Sequence, residues 1–338
     1  MISARWCIVA PASIALGWLF ASLGVPAAWI LAAILCSGAM ALGTGQDLPV
    51  SGHFYKLCRG VIGVLAAAPL AGVPLRDLAH YLIPGLVSAV VIIGIGFAGG
   101  LMLARHSGVS RETGVLSMLA GGASIMTMMA SEFKADMRYV TLAQYLRVLA
   151  VSATLPFVAS LLPAPGENHL TNAATPWWMW IAVLVIAVVG DPVARFLRIP
   201  APSVFGPLLI TAAIAAFSPV VIIPPTPLAV MAFLSIGWVC GGGINVPALK
   251  RFARLLPATI AFIIVIMSAC AAMGVVISHW LGISYFEGYL ATSPGAIETV
   301  LALSTEGGAG PAVIACQLIR LLCILVFAGA LPTILRKL

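Results

Sequence analysis

Long apolar runs, each about the length of a membrane-crossing helix, alternate with short polar breaks along the whole chain. Twelve segments can be drawn: 6–23, 25–43, 57–73, 81–104, 114–131 and 139–162, then 177–194, 201–217, 228–245, 255–278, 287–304 and 311–332. Between the two sets of six lies the polar stretch 163–176, rich in Pro, Gly and Asn. It reads as a linker. The predicted organisation is therefore a membrane repeat at 1–162, a linker at 163–176 and a second repeat at 177–338.

The halves correspond in detail. A shift of 173 residues places Gln144 on Gln317, Arg147 on Arg320, and Gly122-Ala123 on Gly295-Ala296. A shift of 174 places Val25-Pro26-Ala27 on Ile199-Pro200-Ala201 and Gly63 on Gly237. Matches that keep their order along the whole chain imply an internal duplication.

Composition agrees with a membrane protein: 62% of residues are hydrophobic and 8% charged. A soluble chain carries about 25% charged residues. The run after Arg5 continues to Leu23 without a small-residue cleavage site, so it is expected to be an uncleaved first helix. The formal charge of +7 is read as a topology signal rather than as affinity for nucleic acid.

Charge placement decides how the segments cross. If all twelve cross from a cytoplasmic N-terminus, Lys134, Arg138, Arg195 and Arg198 all fall outside. If 114–131 and 287–304 instead enter and leave on one side, Arg76 is the sole basic residue outside. Arg147 and Arg320 stay in the membrane and every other Lys and Arg is inside, as the positive-inside rule requires. Each half then has five crossings, an odd number, so the second repeat is inverted relative to the first. The expected fold is all-α and polytopic. It has two inverted-topology repeats, about ten transmembrane helices and two re-entrant hairpins. Both termini are cytoplasmic. Gly121-Gly122 and Pro294-Gly295 are the expected breakpoints of the hairpins.

Arg147 lies about 12 Å along its segment and Arg320 about 13 Å past Pro311, at 1.5 Å per residue, near the middle of a bilayer core. A buried arginine in the membrane is costly and needs a partner or a purpose. Its planar fork suits a carboxylate, and half-helix N-termini attract anions. The candidate substrate-binding residues are Arg147, Arg320, Gln144, Gln317, Gly122, Gly295, Ser124, Ser293 and Glu298. The alternative is structural: each arginine pairs with Glu132, Glu298 or backbone carbonyls and ties a hairpin to its helix. Glu298 also reads as a proton site or as a salt-bridge partner. Hydroxyls such as Ser124 and Ser293 commonly bond back to carbonyls. The seven cysteines include no C-x-x-C pair, and the five histidines form no ligand motif. No metal, cofactor or catalytic role is therefore expected.

The segments GGASIMTMMASEFKADMRYVTLAQYLRVLAV and SPGAIETVLALSTEGGAGPAVIACQLIRLL resemble the paired signatures of the AbrB-duplication membrane proteins of bacteria. This is not the small soluble DNA-binding regulator of the same name. The resemblance spans nearly the whole chain and implies a multi-pass protein of the bacterial inner membrane. Members carry labels such as regulator of gene expression or ammonia monooxygenase. One departure is Ser124-Ile125-Met126, where many relatives place an acid after the Gly pair; the second copy keeps Glu298. Three functions compete. A secondary transporter of a small anionic solute by alternating access fits inverted repeats and midplane polar residues. A membrane-embedded regulator acting indirectly on gene expression fits the label, without direct contact to nucleic acid. An oxygenase lacks any legible metal or flavin site. The expected partners are the lipid bilayer and the anionic solute; a homo-oligomer is compatible with this reading.

Overall fold

The computed structural model describes residues 5–23, 25, 27–70, 78–120, 126, 129–130, 133, 135–162, 176–197, 199, 201–218, 222–243, 253 and 256–337. Every regular element among them is helical. The α-helices of the first half are α1 Trp6–Ser22, α2 Ala28–Thr44, α3 Gly52–Ala66, α4 Leu82–Ser107, α5 Arg111–Met118 and α6 Met137–Ser160. Those of the second half are α7 Trp177–Phe196, α8 Pro202–Phe217, α9 Thr226–Gly242, α10 Leu256–Leu281, α11 Tyr285–Thr292, α12 Ile297–Glu306 and α13 Pro311–Lys337.

The expected segments become these helices with shifts of a few residues. Segment 287–304 breaks into α11 and α12 around Pro294-Gly295, as expected. Its counterpart 114–131 gives α5, which ends at Met118; residues 121–125 lie outside the described residues. The linker 163–176 lies outside them except for Pro176.

Among the described residues five helical stretches are long and apolar enough to cross a membrane: Ala79–His106, Met137–Ala159, Trp177–Phe196, Leu256–Leu281 and Pro311–Leu331. Helices α1, α2, α8 and α9 are apolar but shorter. Their outward faces are apolar too. Leu82, Leu86 and Val90 recur at i, i+4 and i+8 on α4, all exposed, as are Ile260 and Ile264 on α10. Such stripes suit lipid and not water. Trp177, Trp178 and Trp180 begin α7 and are exposed, the placement of an interfacial belt. The protein is a helical membrane protein.

The helices form two compact units, and each unit draws on both halves of the sequence. The first holds Met1–Leu78, Ser152–Asn245 and Ile297–Ile314; the second holds Ala79–Val151, Val246–Ala296 and Ala315–Leu338. A sequence half is therefore not itself a compact body.

In the first unit, α2 packs on α1 and α9, and α3 packs on α7, α8, α9 and α12. Two crossings depend on glycine. A Cβ on Gly63 would collide with the Val204 carbonyl, and one on Gly237 would collide with the Ile30 carbonyl. Gly63 and Gly237 are 174 residues apart, and so are Ile30 and Val204. Each half thus donates the same glycine to the other half's helix. Helices α2 and α8 also begin alike, on the left-handed alanines Ala27 (φ 57°) and Ala201 (φ 46°), a conformation that costs a non-glycine residue roughly 1–2 kcal/mol. Around Trp238 the packing is polar as well as apolar: its indole N–H donates to Ser13 Oγ at 3.0 Å, and Trp6 meets its ring edge-on at 5.1 Å.

The second unit repeats one corner twice. Helix α4 turns into α5 through Gly108, and α10 turns into α11 through Gly282, both left-handed. Ser110 and Ser284 then cap α5 and α11, and Glu287 completes a capping box with Ser284. Gly100 lies against Gly114 and Gly274 against Gly288, so each corner closes backbone on backbone. These pairs again differ by 174. Leu116, Leu119, Met126, Val140, Ile324 and Leu331 form part of the apolar core.

Gly63→Ala and Gly237→Ala are each expected to destabilise the protein by about 1–3 kcal/mol, because a methyl has no room at either crossing. Gly94, in α4, faces open space, so Gly94→Ala should be neutral or stabilise by about 0.5–1 kcal/mol. Thermal unfolding in detergent measures all three. Equal stability of Gly63→Ala and Gly94→Ala would contradict the packing described.

Candidate functional site

Helices α5 and α11 stop short, so their last carbonyls lack the N–H group four residues on. The Q-x-x-R pairs supply the missing donors. Gln144 Nε2 donates to the Leu116 carbonyl at 2.7 Å and the Leu119 carbonyl at 3.1 Å. Arg147 Nη1 donates to Leu119 O at 2.7 Å. The second copy matches: Gln317 Nε2 donates to Leu290 O at 2.7 Å, and Arg320 Nη1 donates to the carbonyls of Thr292, at 3.3 Å, and Ser293. Leu119 and Ser293 are the C-cap residues of α5 and α11. A cation at a helix C-terminus is also favoured by the helix dipole. Of the partners the sequence offers the arginines, backbone carbonyls are the ones used.

Both clasps lie within the second unit, and all four side chains are buried, Arg147 and Arg320 at 3% exposure. The copies differ in one respect. Arg320 Nη2 donates to Gln317 Oε1 at 2.5 Å, which closes that clasp on itself. Gln144 Oε1 and Arg147 Nε are buried without a hydrogen-bond partner. Arg147 lies in the field of Arg320, with Cys270 of α10 near both. Neither forms an ion pair with a carboxylate among the described residues. Glu132, one acid the sequence offered them, is outside the described residues.

The remaining expected site residues separate. Ser293 is buried, and its hydroxyl bonds back to Leu290 O at 3.2 Å. Gly295 sits in the break between α11 and α12. Gly122 and Ser124 lie outside the described residues. Glu298 belongs to the first unit, in the first turn of α12.

Glu298 has partners that the sequence did not reveal. Tyr55 OH donates to Glu298 Oε1 at 3.0 Å, and Arg59 Nε lies 3.5 Å from the same oxygen. The Arg59 guanidinium also stands over the Tyr55 ring, 5.8 Å from its centre. Thr299, next to Glu298, pairs with Ser152 at 3.3 Å, and Cys240 of α9 lies against both hydroxyls. Lys56 and Arg59 both lie in α3. Only their separation from Glu298, 243 residues for Tyr55, hid the cluster.

Nor is Glu298 the only interior acid of the second half. Asp191 on α7 is 2% exposed and takes ion pairs from Lys56 at 2.6 Å and Arg195 at 2.8 Å. The i, i+4 spacing of Asp191 and Arg195 was the available signal. Glu306, buried at the end of α12, accepts from the N–H groups of Ala27 and Ala28. Ala27 has no side-chain oxygen to cap α2, so a distant carboxylate supplies it. Among the described residues no group of three or more His, Cys, Asp or Glu could hold a metal ion, and the seven cysteines are free.

Comparison with known proteins places this arrangement. Residues 29–338 match the family model described as "Transition state regulatory protein AbrB". The chain is 29% identical over 335 residues to the "Putative regulator AbrB" of Escherichia coli (strain K12), covering 97% of this chain and 95% of that protein. It is 25% identical over 267 residues to the "Uncharacterized protein YhjN" of Bacillus subtilis (strain 168), covering 71% of this chain and 67% of that one. With residues 29–338 matched by the family model, the chain belongs to the AbrB family of membrane proteins.

Proposed function

We propose that the protein is a secondary transporter that moves a small anionic solute by alternating access. The observation that carries this reading is the pair of buried guanidinium groups, Arg147 and Arg320, with no carboxylate paired to either among the described residues. Two buried cations within one compact unit attract an anion in a weakly polarisable interior. Gln144 Oε1, an acceptor, and Arg147 Nε, a donor, have no hydrogen-bond partner among the described residues. Interrupted helices at membrane depth are the usual material of transporter sites.

The duplicated geometry supports two repeats. Glycine crossings, left-handed alanines, serine caps and Q-x-x-R clasps all recur at a spacing of 173 or 174. Contacts inside the first unit support the inverted topology. Lys56 meets Asp191 and Arg195, which places the start of α3 beside the end of α7. Glu306 meets Ala27, which places the turn after α12 beside the turn before α2. In the ten-crossing scheme the first pair is cytoplasmic and the second external. In that scheme the short helices α1, α2, α8 and α9 also cross. The location is the bacterial inner membrane.

A regulatory role is supported by names alone, the description of the family model and the name of the Escherichia coli relative. A transporter that sets the level of a metabolite would produce such a phenotype indirectly.

Topology is tested by cysteine labelling in a cysteine-free background. A cysteine at Asn168 should react from outside the cell and not from the cytoplasm; the reverse pattern would overturn the ten-crossing scheme. The site is tested by Arg147→Lys and Arg320→Lys. Each keeps the charge and loses the fork. Purified protein is melted with and without each member of a panel of small carboxylates. Both variants should fold, with a lower apo melting temperature, and lose about 1.5–3 kcal/mol of binding to at least one panel carboxylate that stabilises the wild type. The double variant should be non-additive for binding. Ligand-induced shifts equal to wild type in both single variants would leave the arginines as helix clasps alone.

A further inference from the structure

The Tyr55–Glu298–Arg59 cluster is not accounted for by the clasps, and its charges restrict what it can bind. Glu298 is 14% and Arg59 25% exposed, and both take part in a cluster of side chains from α3, α9, α12 and the end of α6. We propose that this cluster is a carboxylate-binding site of its own, at which protonation of Glu298 frees Arg59, so that a small carboxylate is exchanged for Glu298 as its counter-ion. The proposal names the coupling ion and the substrate class of the transporter reading above, on which its role in transport rests.

The argument is one of charge balance. With Glu298 ionised, Arg59 has its counter-ion within the protein, and the pair is neutral. A solute carboxylate arriving at Arg59 would bring a second negative charge into a largely buried place, which is strongly unfavourable. A proton taken from water onto Glu298 alone would leave the guanidinium uncompensated, which is equally unfavourable. Two states are therefore neutral: Glu298 ionised with no solute, and Glu298 protonated with one carboxylate on Arg59. Proton and carboxylate enter together, one for one.

The neighbouring groups allow this exchange. Arg59 Nε is buried without a good hydrogen bond even in the ion pair, so the guanidinium is not saturated by Glu298. Tyr55 can donate to the carboxylate, as it does here at 3.0 Å, or to the carbonyl oxygen of the acid. Asp191 on α7 is in the field of Arg59 but is already held by Lys56 and Arg195. Cys240 on α9 lies near Glu298 and offers a neutral thiol. Lys56 on α3 is committed to Asp191. Glu298 is thus the carboxylate that must change when a solute binds Arg59.

Formate, the smallest carboxylate, serves as the probe, with chloride at equal ionic strength as its control. The readout is the melting temperature of the purified full chain from mildly acid to mildly alkaline pH. Wild type should be stabilised by formate in acid and not in alkali. Glu298→Gln imitates the protonated acid. It should respond to formate at every pH, with a half-stabilising concentration in alkali about tenfold or more below that of wild type. Adding Arg59→Gln to it should abolish the response. Tyr55→Phe removes a donor that favours the ionised form, so the wild-type response should begin at higher pH. That variant carries the test if Glu298→Gln does not fold. A Glu298→Gln protein no more responsive than wild type in alkali, or a Tyr55→Phe onset that does not move, overturns the exchange. Failure of the transporter reading looks different: the formate response would follow this pattern while no carboxylate of the panel crossed the membrane. The converse, a panel solute bound equally at every pH, removes the exchange and leaves the transporter.

Discussion

An α-helix that stops in a buried place leaves carbonyl groups with no water to satisfy them, and α5 and α11 both do so. The rest of the second unit is organised to meet that demand. One glutamine and one arginine, three residues apart on a continuous helix, donate to the last carbonyls of α5, and an equivalent pair does so for α11. The clasp explains why an arginine can be buried without a carboxylate beside it. It also leaves positive charge in the interior. A structural need and an electrostatic opportunity are thus met by the same side chain.

The two units use the duplication differently. In the first, glycine crossings are exchanged between halves, Gly63 on the Val204 turn and Gly237 on the Ile30 turn. In the second, each half builds its own corner, Gly100 on Gly114 and Gly274 on Gly288. The ionisable residues break the pattern. Glu298 has a serine–isoleucine–methionine stretch as its counterpart region, and the Arg320 clasp is closed where the Arg147 clasp is open. A protein that binds one solute asymmetrically needs such departures from its own symmetry.

Much of this was legible in the residues. Apolar periodicity located the helices to within a few positions, and Pro294-Gly295 marked the break between α11 and α12. The Q-x-x-R recurrence identified the side chains that matter most, because an arginine in an apolar run must be explained. Backbone carbonyls were among the partners it offered, but which carbonyls was not legible, since they leave no trace in a sequence. Glu298 was singled out, while Tyr55 and Arg59 were not, because periodicity says nothing about which helices meet. Asp191 and Glu306 were passed over for the same reason. The division into two units, each drawing on both halves, depends on packing between distant segments and had no local signal.

Transport itself is the most direct test. Protein reconstituted into vesicles is given a panel of labelled small mono- and dicarboxylates, with an inward proton gradient or without one. Saturable uptake of at least one carboxylate, accelerated by the proton gradient and lost in Arg147→Lys, is the predicted result. Folded, vesicle-inserted protein that admits none of the panel under either condition would contradict it, and would return the buried arginines to the single task of closing two broken helices.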